Sequence, residues 1–80
     1  MHLEIITPDK KLFSGEVMLV QVPGTKGSFE ILHNHAPIIS TLEEGKIKIE
    51  KTTGIEDFFE IQGGVIEANS NNIIILAETS

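Results

Sequence analysis

The sequence of 80 residues contains no cysteine, so neither disulfide bonds nor thiolate–metal sites can hold the fold together. Stability must therefore come from packed apolar side chains, and 40% of the residues are hydrophobic. A chain of this length is expected to form one domain, residues 1–80, because two domains would each be too small to bury a core. The absence of cysteine is also consistent with a reducing compartment.

Positive charge is scarce as well. Six Lys and Arg residues stand against twelve Asp and Glu residues, which gives a formal net charge of −6. This balance disfavours nucleic-acid binding and direct adhesion to anionic lipid, because both need a basic face. No apolar run approaches the roughly 18 residues of a membrane span. The start, MHLEIITPDKK, lacks the blocks of a signal peptide. We expect a soluble, cytoplasmic-side protein without direct membrane insertion.

Apolar residues recur mostly at every second position, which is typical of β-strands. The clearest example is Lys46-Ile47-Lys48-Ile49-Glu50, whose two isoleucines are expected to face inward. Turn residues break the pattern at short, regular intervals, as in a β-sandwich or barrel. The pattern predicts strands near residues 2–6, 11–14, 16–22, 28–32, 38–42, 46–51, 57–62, 64–68 and 72–77.

Four turns and breaks are predicted from local chemistry. Thr7-Pro8-Asp9-Lys10 suits a turn with proline at its second position. Pro23-Gly24 suits a type II turn in which glycine takes positive φ. Gly63-Gly64 predicts a bulge or a close approach of two backbones. One helical turn at residues 36–40 is also compatible with Pro37.

Some strands are apolar on both faces, which bears on function. Met18 or Leu19, Phe58 or Phe59, and part of the run 73–76 are candidates for the outer surface. A monomer rarely leaves a large contiguous apolar patch exposed. Either the strands curl so that both faces are partly covered, or a partner covers one face.

The pair His33 and His35 raises the question of a metal site. Two histidines at i and i+2 on a strand would point the same way and could share an ion. Together with Gly27, the spacing resembles the start of the metal motif of cupins, a family of β-barrel enzymes. The glutamate of that motif is missing at the required spacing, since Glu43 comes too late. A small cupin-like metal-dependent enzyme is therefore an alternative, and polar loop histidines are the preferred interpretation.

Other catalytic or binding motifs are incomplete. No serine lies in a G-x-S-x-G elbow. Gly24-Thr25-Lys26-Gly27-Ser28 lacks the spacing of a phosphate-binding loop. A lipoyl- or biotinyl-type carrier domain is a further alternative, although Lys10 and Lys11 fall in the first turn rather than mid-chain. We assign no catalytic residue, metal ligand, nucleotide-binding residue or cofactor.

Seven fragments of the sequence, taken in order, are together similar to one known family. They are Leu3-Glu4-Ile5-Ile6-Thr7-Pro8, Phe13-Ser14-Gly15-Glu16-Val17, Val22-Pro23-Gly24-Thr25-Lys26-Gly27, His35-Ala36-Pro37-Ile38-Ile39, Leu42-Glu43-Glu44-Gly45-Lys46-Ile47, Ile61-Gln62-Gly63-Gly64-Val65-Ile66-Glu67 and Ile75-Leu76-Ala77-Glu78-Thr79. The sequence resembles the N-terminal β-sandwich domain of the epsilon subunit of rotary, F-type ATP synthases. The resemblance implies an all-β fold, a flattened two-sheet sandwich of about ten short strands.

The resemblance also implies a function without catalysis. Such subunits form part of the central stalk of the rotor, where they bind the gamma subunit and the ring of c subunits and couple rotation to ATP synthesis. Carried over by position, Thr7, His35 and Ser40 would face gamma. Gly27, Ser28 and Phe29 would face the c ring. Asn34 stands where the family usually has glycine.

Location and regulation follow from the same resemblance. The complex would lie at the cytoplasmic face of the inner (plasma) membrane, with this chain as a peripheral component. Many family members continue into a C-terminal two-helix hairpin that restrains rotation and in some binds ATP. The sequence ends at Thr79-Ser80 without it. We therefore expect no hairpin-based inhibition and no nucleotide bound by this chain.

Overall fold

Strands with alternating buried and exposed side chains account for the structure. The computed structural model describes residues 1–79, and no helix occurs among them, hence none that could cross a membrane. The described residues form eight strands: β1 (His2–Ile6), β2 (Lys11–Val22), β3 (Phe29–Leu32), β4 (Ile38–Leu42), β5 (Gly45–Lys51), β6 (Glu56–Ile61), β7 (Gly63–Asn69) and β8 (Asn72–Glu78).

The strands form two layers that share one strand. In layer A the order is β4-β7-β8-β1, followed by the first half of β2. In layer B the second half of β2 lies between β3 and β5, and β6 follows β5. Neighbouring strands are antiparallel except β1 and β8, which are parallel. The first and last strands of the described chain are therefore adjacent in layer A.

Strand β2 passes from one layer to the other without a break. It pairs with β1 up to Glu16 and with β5 from Val17 onwards. The register shifts between Val17 and Leu19, and such an irregularity bends a strand. Gly15 stays within the ladder, opposite Leu3. The two strands predicted at residues 11–14 and 16–22 are thus one strand.

The core lies between the layers and consists of the alternate side chains that point inward. In β8 the pattern is strict, with Ile73, Ile75 and Ala77 buried and Ile74 and Leu76 exposed. Lys46 to Glu50 alternates as predicted. The buried hydrophobic residues are Leu3, Ile5, Val17, Val20, Val22, Ile31, Leu42, Ile47, Ile49, Ile61, Ile66, Ala68, Ile73, Ile75 and Ala77.

The predicted fold class is confirmed, with corrections to its details. The sandwich has eight strands over the described residues rather than about ten, and β2 connects its layers. The helical turn predicted at residues 36–40 was wrong. Ile38 begins β4 and pairs with Ala68, because its β-branched neighbours find a partner strand in β7.

Two glycine predictions had different outcomes. Gly24 does not take positive φ, so the predicted type II turn was wrong. The turn lies later, where the Gly27 amide donates to the Gly24 carbonyl (2.9 Å) and Gly27 has φ of 121°. The close approach at Gly63-Gly64 is confirmed, since a Cβ on Gly64 would lie 2.4 Å from the Leu76 carbonyl oxygen.

Candidate functional site

The outer surface of layer A carries apolar side chains on four adjacent strands. The register places Ile6, Leu76 and Val65 side by side on β1, β8 and β7. Ile74 and Ile39 lie in the next row. Ile39 is 76% exposed and Leu76 55% exposed, which is unusual for side chains of this size. We call these five residues the apolar face.

Two shallow pockets flank the apolar face at opposite corners. The smaller has a volume of about 330 Å³ and lies beside the β1–β2 turn. The larger, about 520 Å³, lies where β4 begins. The first is lined by Ile6, Thr7, Pro8, Leu76, Ala77 and Glu78, and the second by Pro37, Ile38, Ile39, Glu67, Ala68 and Asn69.

The outer surface of layer B differs in character, because charged side chains dominate it. On β5 the outward residues are Lys46, Lys48 and Glu50, since Ile47 and Ile49 are buried between them. Lys48 pairs with Glu56 across to β6 (3.7 Å). Layer B also exposes Leu32 and Phe58, but β2 and the charged residues of β5 lie between them. The apolar side chains that adjoin on successive strands within residues 1–79 are those of layer A.

Thr7 has a structural role within the chain that requires no partner protein. Its side chain is buried, with 7% exposure, at the end of β1. The Thr7 hydroxyl donates to the Lys10 carbonyl (3.0 Å) and accepts from the Lys10 amide (3.1 Å). Thr7 thus closes the predicted turn at residues 7–10. It also lines the smaller pocket beside the apolar face.

His35 and Ser40 lie at the other side of layer A from Thr7. Three strand spacings separate β1 from β4, about 14 Å. The His35 Nδ1–H donates to the Ala36 carbonyl (2.9 Å), and Nε2 is shielded from solvent with no hydrogen-bond partner among the described residues. Ser40 is half-buried in β4. The three residues predicted for the gamma subunit therefore form no single cluster.

The loop before His35 explains one departure from the family pattern. Asn34 has φ of 66°, in the left-handed region that glycine and asparagine tolerate best. Asparagine therefore suits a position where the family usually has glycine. His33 is exposed in the same turn. The two histidines lie in a loop rather than on a strand.

Gly27, Ser28 and Phe29 follow a loop that is tied to the end of β4. The Thr25 amide donates to the Thr41 carbonyl (3.1 Å), and the two threonine hydroxyls are 2.8 Å apart. Gly27 and Ser28 are exposed, and Phe29 is half-buried. A Cβ on Gly24 would meet the Phe29 ring at 2.8 Å, so glycine is needed there. The loop is therefore fixed to β4 by hydrogen bonds, and its tip is exposed.

Within residues 1–79 the titratable groups show no arrangement suited to a metal ion. No three His, Asp or Glu side chains in the described part of the chain are placed to hold a metal ion. Glu4 lies beside the apolar face, and Lys11 (3.1 Å) lowers the pKa of its carboxyl through a hydrogen bond and its charge. Partial burial opposes this shift, and His2 adds to it. These contacts form a surface ion-pair cluster.

Comparison with known proteins decides the family. The model of the ATP synthase delta/epsilon chain, beta-sandwich domain, matches residues 1–80. The chain belongs to this family. One relative is the ATP synthase epsilon chain of Caulobacter vibrioides, 44% identical over 78 residues, which are 98% of this chain and 90% of the relative. The ATP synthase epsilon chain of Chlorobium limicola is 43% identical over 76 residues, which are 95% of this chain and 86% of the relative.

Solved structures support the fold of this delta/epsilon chain. A chain of the Euglena gracilis mitochondrial ATP synthase (OSCP/F1/c-ring) matches with a TM-score of 0.88 and 22% identity over 94% of this chain. A chain of the Tetrahymena thermophila mitochondrial ATP synthase structure (central stalk/c-ring) matches with a TM-score of 0.81 and 18% identity over 98% of this chain. This chain spans 48% and 63% of the length of those solved chains.

Family membership confirms the predicted epsilon subunit and its non-catalytic nature. Epsilon chains of ATP synthase are non-catalytic subunits. Membership in this family argues against the two alternative hypotheses, a cupin-like enzyme and a carrier domain.

The apolar face was anticipated in part. Of the candidates named from the sequence, Ile74 and Leu76 belong to the apolar face, whereas Met18 and Phe58 are exposed outside it. Ile39 and Val65 were missed as members of one surface with β8. The β4–β7–β8 pairing brings them together, and local alternation does not reveal that pairing.

Proposed function

We propose that this chain is a rotor component that binds the gamma subunit and the ring of c subunits of ATP synthase, and so couples rotation to ATP synthesis. It would do so as a peripheral component at the cytoplasmic face of the inner (plasma) membrane. Membership of an epsilon-type, non-catalytic family supports the proposal. The apolar face of layer A is the observation that carries it.

The apolar face is suited to a permanent protein partner. Cores of such interfaces are depleted in charge and rich in large apolar side chains. Five apolar side chains on four strands meet that description, whereas the outer surface of layer B does not. Glu67 lies between Ile39 and Ile74 in the register and offers a carboxylate for a polar contact with the partner. We assign the apolar face to the gamma subunit.

Two of the predicted gamma residues, Thr7 and His35, fit this assignment because they lie at the margins of the apolar face. Thr7 lines the pocket beside Leu76, and His35 precedes the pocket that Ile39 lines. Ser40 follows Ile39 in β4. A partner that covers the face from corner to corner would therefore reach Thr7 and His35. Ser40 points to the opposite side of β4 from Ile39, so the partner would reach it only around the edge of that outer strand.

The loop with Gly27, Ser28 and Phe29 is assigned to the c ring. One backbone hydrogen bond and one hydroxyl–hydroxyl contact to Thr41 hold it, and its tip remains exposed. A held loop loses little conformational entropy on binding, which favours a contact that must transmit force. Ser28 is uncharged, so shape and hydrogen bonds rather than an ion pair would make this contact.

A direct test measures binding to purified gamma subunit. Ile39→Glu and Leu76→Glu each place a carboxylate within the proposed interface, near opposite corners of the apolar face. An unpaired buried charge costs about 3 kcal/mol, or roughly a hundredfold in Kd. Met18→Glu is the matched control, because Met18 is 49% exposed but lies in β2, where that strand enters layer B.

Isothermal titration calorimetry of the four proteins separates the outcomes. The proposal requires that both layer A variants lose affinity for gamma while Met18→Glu does not. Equal affinity of all variants would show that gamma binds elsewhere. Ser28→Lys, assayed with purified c ring, should alter binding to the ring and leave binding to gamma unchanged.

A further inference from the structure

Strand β6 has a second edge with no strand on it. β6 pairs with β5 over its whole length, and no other strand of residues 1–79 pairs with it. Ile55 and Phe58 at this edge are 58% and 57% exposed. An open edge presents unpaired backbone groups that another strand can use.

The hairpin geometry shows which backbone groups face the open edge. At the β5–β6 turn, the Lys51 amide donates to the Ile55 carbonyl (2.8 Å). Hydrogen-bonded and non-hydrogen-bonded pairs alternate along an antiparallel ladder. Asp57, Phe59 and Ile61 therefore bond to β5. The amide and carbonyl groups of Glu56, Phe58 and Glu60 point outward, and these three residues are exposed.

The existing partner of β6 shows what chemistry a second partner needs. On β5, Lys46 lies opposite Glu60 and Lys48 lies opposite Phe58 and pairs with Glu56. The residues between them, Ile47 and Ile49, point into the core. A strand with alternating basic and apolar residues would repeat this pattern on the open edge. Its apolar side chains would cover the half-buried ring of Phe59.

A second copy of this chain does not meet that requirement. Antiparallel pairing of two β6 strands about Phe58 would set Glu56 of each copy against Glu60 of the other. Like charges directly opposite each other destabilise a strand pair. The acidic edge therefore disfavours self-association and selects a partner of opposite charge.

We propose that the open edge of β6 binds an extended protein segment with alternating basic and apolar residues, which adds a strand to layer B. This surface is separate from the apolar face and from the loop with Ser28. The inference therefore stands independently of the contacts with gamma and the c ring.

The test uses an acetylated and amidated peptide of alternating lysine and isoleucine. Hydrogen exchange of the chain, followed by NMR, should show slower exchange of the Glu56, Phe58 and Glu60 amides, by about tenfold or more at saturation. A peptide with glutamate in place of lysine is the charge control. A lysine–isoleucine peptide with N-methylated edge amides is the backbone control, and neither control should protect β6.

A pair of protein variants tests the backbone directly. Phe58→Pro removes an outward amide that β5 does not use, and proline is tolerated at such edge positions. Phe58→Thr removes the same ring but keeps the amide. Phe58→Pro should abolish protection of β6, and Phe58→Thr should retain it. If Phe58→Pro is unfolded, the N-methylated peptide provides the same comparison on the unaltered chain.

A third variant tests the charge argument. Glu60→Lys would place an ammonium group opposite Glu56 of a second copy, so it should raise the apparent mass of the chain toward a dimer in sedimentation. The proposal is overturned if the lysine peptide protects no β6 amide, if it perturbs the apolar face instead, or if either control peptide binds equally well.

Discussion

Gly64 offers a sharp test of the packing between β7 and β8. It has φ of 155°, and a Cβ at this position would lie 2.4 Å from the Leu76 carbonyl oxygen. Real Cβ atoms essentially never approach closer than 3.0 Å, so Gly64→Ala must displace backbone by at least 0.6 Å. The obstacle is a paired strand in the middle of layer A, which cannot move as a side chain can.

The cost of Gly64→Ala has two parts. Backbone held in a sparsely populated region costs about 1–3 kcal/mol, and overpacking costs about 1–3 kcal/mol. We expect a loss of about 4 kcal/mol in the free energy of unfolding, the sum of the two middle values. A domain of this size has a total stability of about 4–12 kcal/mol, so the variant would be marginal or unfolded.

Gly54→Ala separates the two parts. Gly54 has φ of 88° and no atom within 4 Å of the added Cβ, so only the backbone cost of about 1–2 kcal/mol applies. Urea denaturation of both variants gives the difference, since the slope for a small domain is about 1 kcal/mol per molar urea. Losses that agree within about 1 kcal/mol would refute the close approach at Gly64.

Two further predictions concern charge and burial. Lys11→Met should raise the pKa of Glu4 toward its ordinary value, as measured by carboxyl NMR titration. Because Lys11 lowers the folded-state pKa of Glu4, this pair stabilises the fold above the unfolded-state pKa. That stabilisation is lost as the pH falls through the folded-state pKa. An unchanged pKa would contradict the assigned cause. Ile75→Ala should cost about 2–5 kcal/mol in thermal unfolding and Ile74→Ala less than about 1 kcal/mol, because Ile75 is buried and Ile74 is 39% exposed. Equal losses would contradict the assigned faces of β8.

Local alternation and turn chemistry predicted most of the strands. Ile47 and Ile49 were placed correctly because a period of two is a property of neighbouring residues. The sequence pattern placed a strand break at Gly15, whereas Gly15 lies inside the β1–β2 ladder. The Phe13 ring covers it and would lie 3.3 Å from a Cβ at that position. Pro37 was misread as a helix start, because only the pairing with β7 decides that β4 is a strand.

The candidate site was harder to predict because it depends on pairing between distant segments. The resemblance to epsilon subunits supplied Thr7, His35 and Ser40 one at a time. It did not show that Thr7 and His35 lie at opposite corners of one apolar face, which follows from the β4–β7–β8–β1 order. The open edge of β6 likewise follows from register.

The parallel pairing of β1 with β8 has a consequence for synthesis of the chain. After β1 leaves the ribosome, β2 can pair with one of its edges. The other edge of β1 stays unpaired until β8, the last strand of the described chain, has been synthesised. Contacts between distant segments slow folding, because the loop between them must close first. Layer A is therefore completed after translation has passed Glu78, and until then the nascent chain exposes an unpaired strand edge.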